Sequence, residues 1–546
     1  MSARLCIALL AAVLLLPTMA AAADHPGEGQ DVGRILKSRP AAWEIFTLDG
    51  YFRVRAGLLH NLDLDRGGTP TTGQPLFPIP AAGGQWLGSA DARLRLDLGI
   101  EVGDVVRARV RVDALDGLVL GSTPTGYPPS RWTQTPWASL SQQPQTPGVN
   151  ALVSSIRLKE AWGEVLLPIG LLRFGRMQLP RWGLGLVTGG ATDLDDDYDD
   201  LVDRVSFATS LADHLLGVSF DINSVGPTSA NSQGGSTRTG QAIDLELQDN
   251  VYTLSFAFGR LHEDADIRRR LRASKPTFSY GAYVAWRWQL ADFPSFYTQG
   301  IAGEEETWTA SDAVARRMNA VQVDGWAKLH AGPVRMELEA VYGGLRVDDP
   351  STQPTTSLPA LTANQFGAVF EVEAEAVKNR VFLEMGVAVA SGDSAPGLGV
   401  APPVGQSSAQ AGDFDGPQFD FAGDTTINNF RFHPNYRVDL VFWRHIAGTV
   451  TDAFILRPQL TLRSGPALQA RIWGVVSTAM AVQSTPGDAR LWGGEIDFEA
   501  EWTPVSGFVA RAQYGLFLPG PALRNLDQNL GAKPAQVARV ILAVTW

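Results

Sequence analysis

The feature that most restricts the fold of this chain is a period-two alternation of apolar and polar side chains, carried repeatedly over segments of about twelve residues. Residues 90–101 show it most cleanly. Ala90, Ala92, Leu94, Leu96, Leu98 and Ile100 fall on one face, and Asp91, Arg93, Arg95, Asp97 and Glu101 on the other. A tight turn over residues 101–104 leads into Val106, Ala108, Val110, Val112 and Ala114, alternating with Arg107, Arg109, Arg111 and Asp113. Two such runs joined by a short turn predict a β-hairpin. The pattern returns at residues 48–58, 321–329, 334–342, 366–374, 381–389, 496–502 and 508–518. Strands of soluble proteins average about 5 to 6 residues. Twelve residues at about 3.3 Å each, tilted near 45°, project to about 28 Å, the thickness of a bilayer core. The fold class expected is therefore all-β: a single closed antiparallel transmembrane barrel, apolar outside and charged towards a wet lumen.

The connections agree with that expectation. Short turns at residues 102–104, 168–170, 331–333, 377–379 and 504–507 alternate with long segments over 60–85, 117–152, 224–240, 344–362, 392–433 and 519–534, rich in Gly, Pro, Ser, Thr, Gln and Asp. Short periplasmic turns and long outer loops characterise membrane barrels. The alternation is interrupted twice. Residues 290–316 are long where a turn is due, and residues 437–467 hold one strand too few or too many. An even strand number of about 18 to 20 follows.

Ahead of the barrel, Arg4 precedes an apolar run from Leu5 to Leu16, then Pro17 and the small residues Ala20 to Ala23. This is the layout of a secretory signal peptide. The expected organisation is a signal over residues 1–23, a short periplasmic segment over 24–42 and the barrel over 43–546. Cys6 is the only cysteine and lies inside the signal, which excludes a disulfide scaffold, a cysteine zinc site or a thiol nucleophile from the mature chain. Without Arg4 the balance is 44 basic against 57 acidic residues, a net charge of about −13, which argues against nucleic acid as a partner.

At the C-terminus Ala538, Val540, Leu542, Val544 and Trp546 share one face of an alternating strand. This ending resembles the C-terminal signal of Gram-negative outer-membrane β-barrel proteins, porins among them. The resemblance implies an outer-membrane location and recognition by the barrel-assembly machinery through Leu542, Val544 and Trp546. Residues 172–185 (LRFGRMQLPRWGLG), 193–207 and 430–440 (FRFHPNYRVDL) are similar to segments of a family of uncharacterised outer-membrane proteins found in myxobacteria and related bacteria. No substrate and no residue roles come with that similarity.

The inward charges are segregated. Arg53, Arg55, Arg93, Arg95, Arg107, Arg109 and Arg111 belong to the first three strands, whereas Glu337, Glu339, Glu371, Glu373 and Glu375 belong to strands near the middle. On a closed barrel the arginine ladder would face an acidic wall across the lumen, the transverse arrangement that selects polar solutes. The alternative is that these charges pair with strand neighbours or meet lumen water. Seven aspartates fall within residues 193–203; Asp193, Asp195, Asp197 and Asp199 are candidate hard-oxygen ligands for Ca²⁺, although the spacing lacks the glycine and closing Glu of an EF-hand, and a solvated acidic loop is the preferred reading. Tyr51, Trp326, Trp443 and Trp473 are candidate inward aromatics, and the remaining aromatics suit interfacial girdles. Arg268, Arg269, Arg270 and Arg272 form a basic run, read as a solvated turn or a contact for lipopolysaccharide phosphate.

The function these features point to is a porin-like channel for small hydrophilic solutes, anionic ones among them, with outer-membrane lipid and lipopolysaccharide as its surroundings and no catalytic site. The competing readings are a specific oligosaccharide or anion transporter and a barrel-type outer-membrane hydrolase.

Overall fold

A computed structural model describes residues 46–73, 75–76, 85–103, 105–119, 156–190, 193–224, 247–262, 264–293, 310–351, 354–399, 409–420 and 423–546. The expected signal peptide and the segment over 24–42 lie outside the described residues. Eighteen strands follow in chain order: β1 (Phe46–His60), β2 (Trp86–Val102), β3 (Val106–Val119), β4 (Ile156–Leu167), β5 (Gly170–Gln178), β6 (Leu201–Leu211), β7 (His214–Ser224), β8 (Val251–Arg260), β9 (Thr277–Gln289), β10 (Met318–Ala331), β11 (Val334–Val347), β12 (Leu361–Val377), β13 (Val381–Ala390), β14 (Ala453–Arg463), β15 (Leu468–Thr478), β16 (Leu491–Trp502), β17 (Phe508–Pro519) and β18 (Ala535–Thr545). Every strand pairs antiparallel with its sequence neighbours, and β1 pairs with both β2 and β18. Closure removes the two open edges that a sheet this size would otherwise present.

The exposure of side chains is inverted relative to a soluble protein. Leu48, Phe52, Leu98, Ile100, Val323, Leu338, Phe370, Met385, Ile496, Val540, Leu542 and Val544 all point outward and are exposed. Arg53, Arg55, Arg93 and Asp113, from the alternate positions, are buried inside. An apolar belt of this kind is stable only against hydrocarbon, so the wall has the construction of a transmembrane barrel. We expect a cysteine placed at Leu98 to resist a charged, membrane-impermeant thiol reagent when the barrel is in a bilayer. Rapid labelling there would show that this face meets water.

The strand count also explains both interruptions seen in the sequence. The connection between β8 and β9 is long although it lies at the short-turn end, because it contains a helix, α1 (Asp264–Arg272). Residues 290–317 are then an ordinary long connection. The segment over 437–447 alternates like a strand but is not one; it enters the barrel and ends in a π-helical turn at Phe442–Ile446.

Inside the long-loop half, an apolar core forms where chain from the loops packs on the wall. Leu184, Leu186, Phe430, Phe432, Leu440, Val441, Phe442 and Trp443 come from loops, and Leu59, Val341, Val369, Trp492, Phe517 and Val537 from strands. Phe442 stacks on Phe517 with ring centroids 4.8 Å apart. A wide barrel lined only by charge would have no such core.

Candidate functional site

The site is built where two connections turn into the lumen. The first, between β5 and β6, brings Asp193 to Asp199 against the arginines of β1 and β2. Arg53 Nη2 donates to Asp197 Oδ1 at 2.8 Å and Arg55 Nη1 to Asp197 Oδ2 at 2.7 Å. Arg93 reaches the Asp196 carbonyl at 3.0 Å and Asp197 Oδ1 at 3.3 Å. Arg95 holds Asp113 in a two-pronged pair at 2.7 and 2.6 Å and also meets Asp199 at 3.1 Å. From β17, Arg511 grips both oxygens of Asp193 at 2.8 and 3.0 Å.

Asp195 lies at the centre, with Arg55 at 3.1 Å, Arg539 of β18 at 2.7 Å, and Arg444 and Arg437 of the second in-folded connection at 2.6 and 3.3 Å. Burial alone would push its carboxyl up, but Arg444, Arg539 and Arg437 override that and hold it well below the ordinary carboxylate range. Asp197 is held low in the same way by Arg55, Arg53 and Arg93 against its own burial. The sign of the pH dependence follows. Unfolded aspartate titrates near 3.9; with the folded values lower, the clamp's stabilisation is complete above that pH and is lost only as pH falls through the folded values. We expect the stability that Asp195 and Asp197 contribute to be unchanged between pH 7 and pH 5. A difference in urea midpoint between the wild type and Asp195→Asn that changes inside that window would contradict the clamp.

Each in-folded connection is also pinned by one wall carboxylate that accepts successive backbone N–H groups, an anion nest made by the chain itself. Glu339 of β11 accepts from Leu184, from Gly185 at 3.0 Å and from Leu186 at 3.1 Å. Gly183 and Gly185 supply the turn, with φ of +54° and +85°, and a Cβ at Gly183 would lie 2.5 Å from Glu339 Oε2. Glu495 of β16 accepts from Leu440 at 3.0 Å, Val441 at 2.7 Å and Phe442 at 3.0 Å. Asp439 then caps the π-helical turn through the N–H groups of Trp443 and Arg444 at 2.9 and 3.1 Å. The two connections also hold each other. Asn435 Nδ2 donates to the carbonyls of Gly190 and Tyr198, both at 2.9 Å, and His433 N donates to Leu186 O at 2.7 Å.

The remaining arginines of the ladder pair along the wall. Arg107 lies between Glu101 and Glu164, each at 3.0 Å; Arg109 meets Glu101 at 2.6 Å; Arg111 meets Asp97 at 2.5 Å and Glu160 at 2.6 Å. These partners sit directly opposite in the β2–β3 and β3–β4 registers or diagonal to one another.

The expected counter-charge across the lumen is therefore replaced by two nearer sources, strand neighbours and the in-folded aspartates. Coulomb attraction falls with distance and with intervening water, so the nearest carboxylates determine the pairing. On the opposite side, Glu337 engages Arg335 at 2.7 Å and Trp326 Nε1 at 2.9 Å. Glu371 engages Arg457 at 2.9 Å and the Tyr436 hydroxyl at 3.0 Å. Glu373 lies 3.9 Å from Arg335, and Glu375 accepts the Asn379 N–H at 2.5 Å in the turn after β12.

Asp193, Asp195, Asp197 and Asp199 have guanidinium or ammonium groups where the sequence suggested Ca²⁺, Asp199 being shared by Arg95 and Lys159 at 3.1 and 3.4 Å. Among the described residues no group of three or more acidic, histidine or cysteine side chains has the geometry to hold a metal ion. Trp443, a candidate inward aromatic, is fully enclosed in the apolar core, and Trp473, another, is half-buried against that core and donates to Val438 O at 3.1 Å. The sequence reading missed Arg437, Arg444, Arg511 and Arg539 and the anchoring roles of Glu339 and Glu495. One sign was available: Arg53 faces Arg93 directly across β1 and β2, a like-charge pair that needs anions from elsewhere.

No family model matches the sequence, and no curated protein matches it. Among solved structures, the chain is similar to Pseudomonas aeruginosa OccK11 (OpdR), at 8% identity and a TM-score of 0.43, over 91% of this chain and 95% of that one. It is similar to Acinetobacter baumannii OccAB3 at 10% identity and a TM-score of 0.43, over 91% and 99%. For Pseudomonas aeruginosa OprD the values are 10% identity and 0.42, over 96% and 99%.

Proposed function

We propose that this chain is a non-catalytic outer-membrane channel for small hydrophilic solutes, exported by its N-terminal signal and assembled through Leu542, Val544 and Trp546. The observation that carries this reading is the clamp of Asp193 to Asp199. It fixes the β5–β6 connection at the arginine-lined level of a closed, lipid-facing barrel, which narrows a lumen without requiring a separate plug domain. Leu542, Val544 and Trp546 are exposed on the lipid face, where assembly factors could read them before closure.

Anion preference is the finer reading, and it rests on fewer residues than the whole ladder. Arg53, Arg55, Arg93 and Arg95 are buried and neutralised, whereas Arg109, Arg111, Lys328, Arg335 and Arg471 keep part of their side chains accessible. Each of this second set is paired with a carboxylate as well, but these are the cations a passing anion can touch. Liposome swelling with sugars of graded size and with small carboxylates tests both levels. Uptake of small sugars with faster entry of carboxylates supports the proposal, and vesicles that stay sealed to all of them refute it. Arg109→Gln with Arg111→Gln should slow the carboxylates more than the sugars.

A further inference from the structure

The cationic helix α1 plays no part in the lumen clamp. Its first turn carries Asp264 and Asp266, and its last turn Arg269, Arg270 and Arg272. Arg269 is tied to Asp266 at 2.6 Å and Arg270 to the Pro276 carbonyl at 3.0 Å. Arg268 and Arg272, four residues apart and so on one helical face, are exposed and have no hydrogen-bonding or ionic partner among the described residues. With Arg269, Ala265 and Ala273 they make up one open, exposed face of the helix. Its position is at the short-turn end of the barrel, opposite the long loops, so the basic run does not lie where lipopolysaccharide would meet it.

Beside α1, the lipid-facing ends of β7, β8 and β9 carry an aromatic cluster. His214 stacks on Phe258 at 5.0 Å and its Nε2 lies 2.7 Å from the Tyr280 hydroxyl; Phe278 and Tyr280 are 5.5 Å apart. Aromatic side chains gathered at strand ends mark the level of lipid headgroups. Three guanidinium groups on one exposed helical face, in the connection between these strand ends, suit a phosphodiester, because planar guanidinium donors match phosphate oxygens in pairs.

We propose that α1 binds the headgroup of an anionic phospholipid in the leaflet at the short-turn end, with Arg268, Arg269 and Arg272 on the phosphodiester and the aromatic cluster against the adjoining acyl chains. This rests on the reading of the chain as a membrane barrel. Insertion is checked separately, by the heat-dependent shift of the folded barrel in electrophoresis; a chain that fails to insert refutes the barrel reading and with it this site.

The test is native mass spectrometry of the inserted barrel released from vesicles of phosphatidylglycerol mixed with phosphatidylcholine. The wild type should retain phosphatidylglycerol in preference. Arg268→Ser with Arg272→Ser should weaken that retention by about fivefold for each arginine removed. Arg346→Ser, at the opposite rim and paired with Asp348, should behave as wild type. Equal retention of both lipids, a double variant that keeps the wild-type preference, or an equal loss in the Arg346 variant would each overturn the proposal. So would a double variant that loses binding to purified peptidoglycan but not to phosphatidylglycerol.

Discussion

Replacing Asp195 by Ala is expected to destabilise the folded barrel by about 3–5 kcal/mol, the cost typical of breaking a buried ion pair by removing one partner. Asp195 is fully enclosed and touches Arg55, Arg437, Arg444 and Arg539. Its loss leaves four guanidinium groups with one carboxylate fewer in a place water barely reaches. Arginine cannot relieve this by releasing a proton, so the strain must be met by moving the connection or by admitting water and anions. Urea unfolding in detergent, followed by tryptophan fluorescence, measures the effect. Asp195→Glu, which keeps the charge, should recover part of it. A midpoint and slope unchanged by Asp195→Ala would mean that the clamp contributes nothing to stability.

The second large effect is expected at Glu495. Its two oxygens accept three consecutive N–H groups at Leu440, Val441 and Phe442, and each buried donor left without an acceptor costs about 1–3 kcal/mol. Glu495→Ala should therefore free residues 438–446 locally while the strands persist, because the wall keeps its own ladder of backbone bonds. Amide hydrogen exchange read by mass spectrometry should show these peptides exchanging at least tenfold faster, since 1.4 kcal/mol already corresponds to tenfold. Glu495→Gln retains an acceptor oxygen and should fall between. Unchanged protection of Leu440 to Phe442 in the Ala variant would show that packing of Phe442 and Trp443 alone holds the turn.

The wall was legible from the sequence because a barrel strand has two different solvents on its two sides, and residues 90–101 record both. The closing strand was legible for the same reason. Residues 437–443 defeated the same reading. An in-folded segment packs one side on the wall and the other on a second connection, so Val438 and Leu440 alternate with Arg437 and Asp439 just as strand residues do. Helix α1 was hidden because a nine-residue cationic turn has almost no apolar periodicity, only Ile267 being buried.

The clamp was half visible. The density of aspartates over 193–203 and the unbalanced arginines of the first strands were both plain, but each admitted another explanation, a cation for one and glutamates across the lumen for the other. What joins them is the direction in which a loop folds. That depends on Gly183, Gly185 and the acceptor at Glu339, more than 130 residues further along the chain, and no local pattern encodes it.

We propose that this barrel conducts through a lumen narrowed by clamped connections. Single-channel recording in planar bilayers tests it most directly, comparing the wild type with a variant in which Asp195 and Asp197 are both changed to Asn. The wild type should give small, stable current steps, and the variant larger and noisier ones, because a connection without its counter-charges no longer stays against β1 and β2. A wild type with no conductance, or a variant with the same step size and noise as the wild type, would contradict the account.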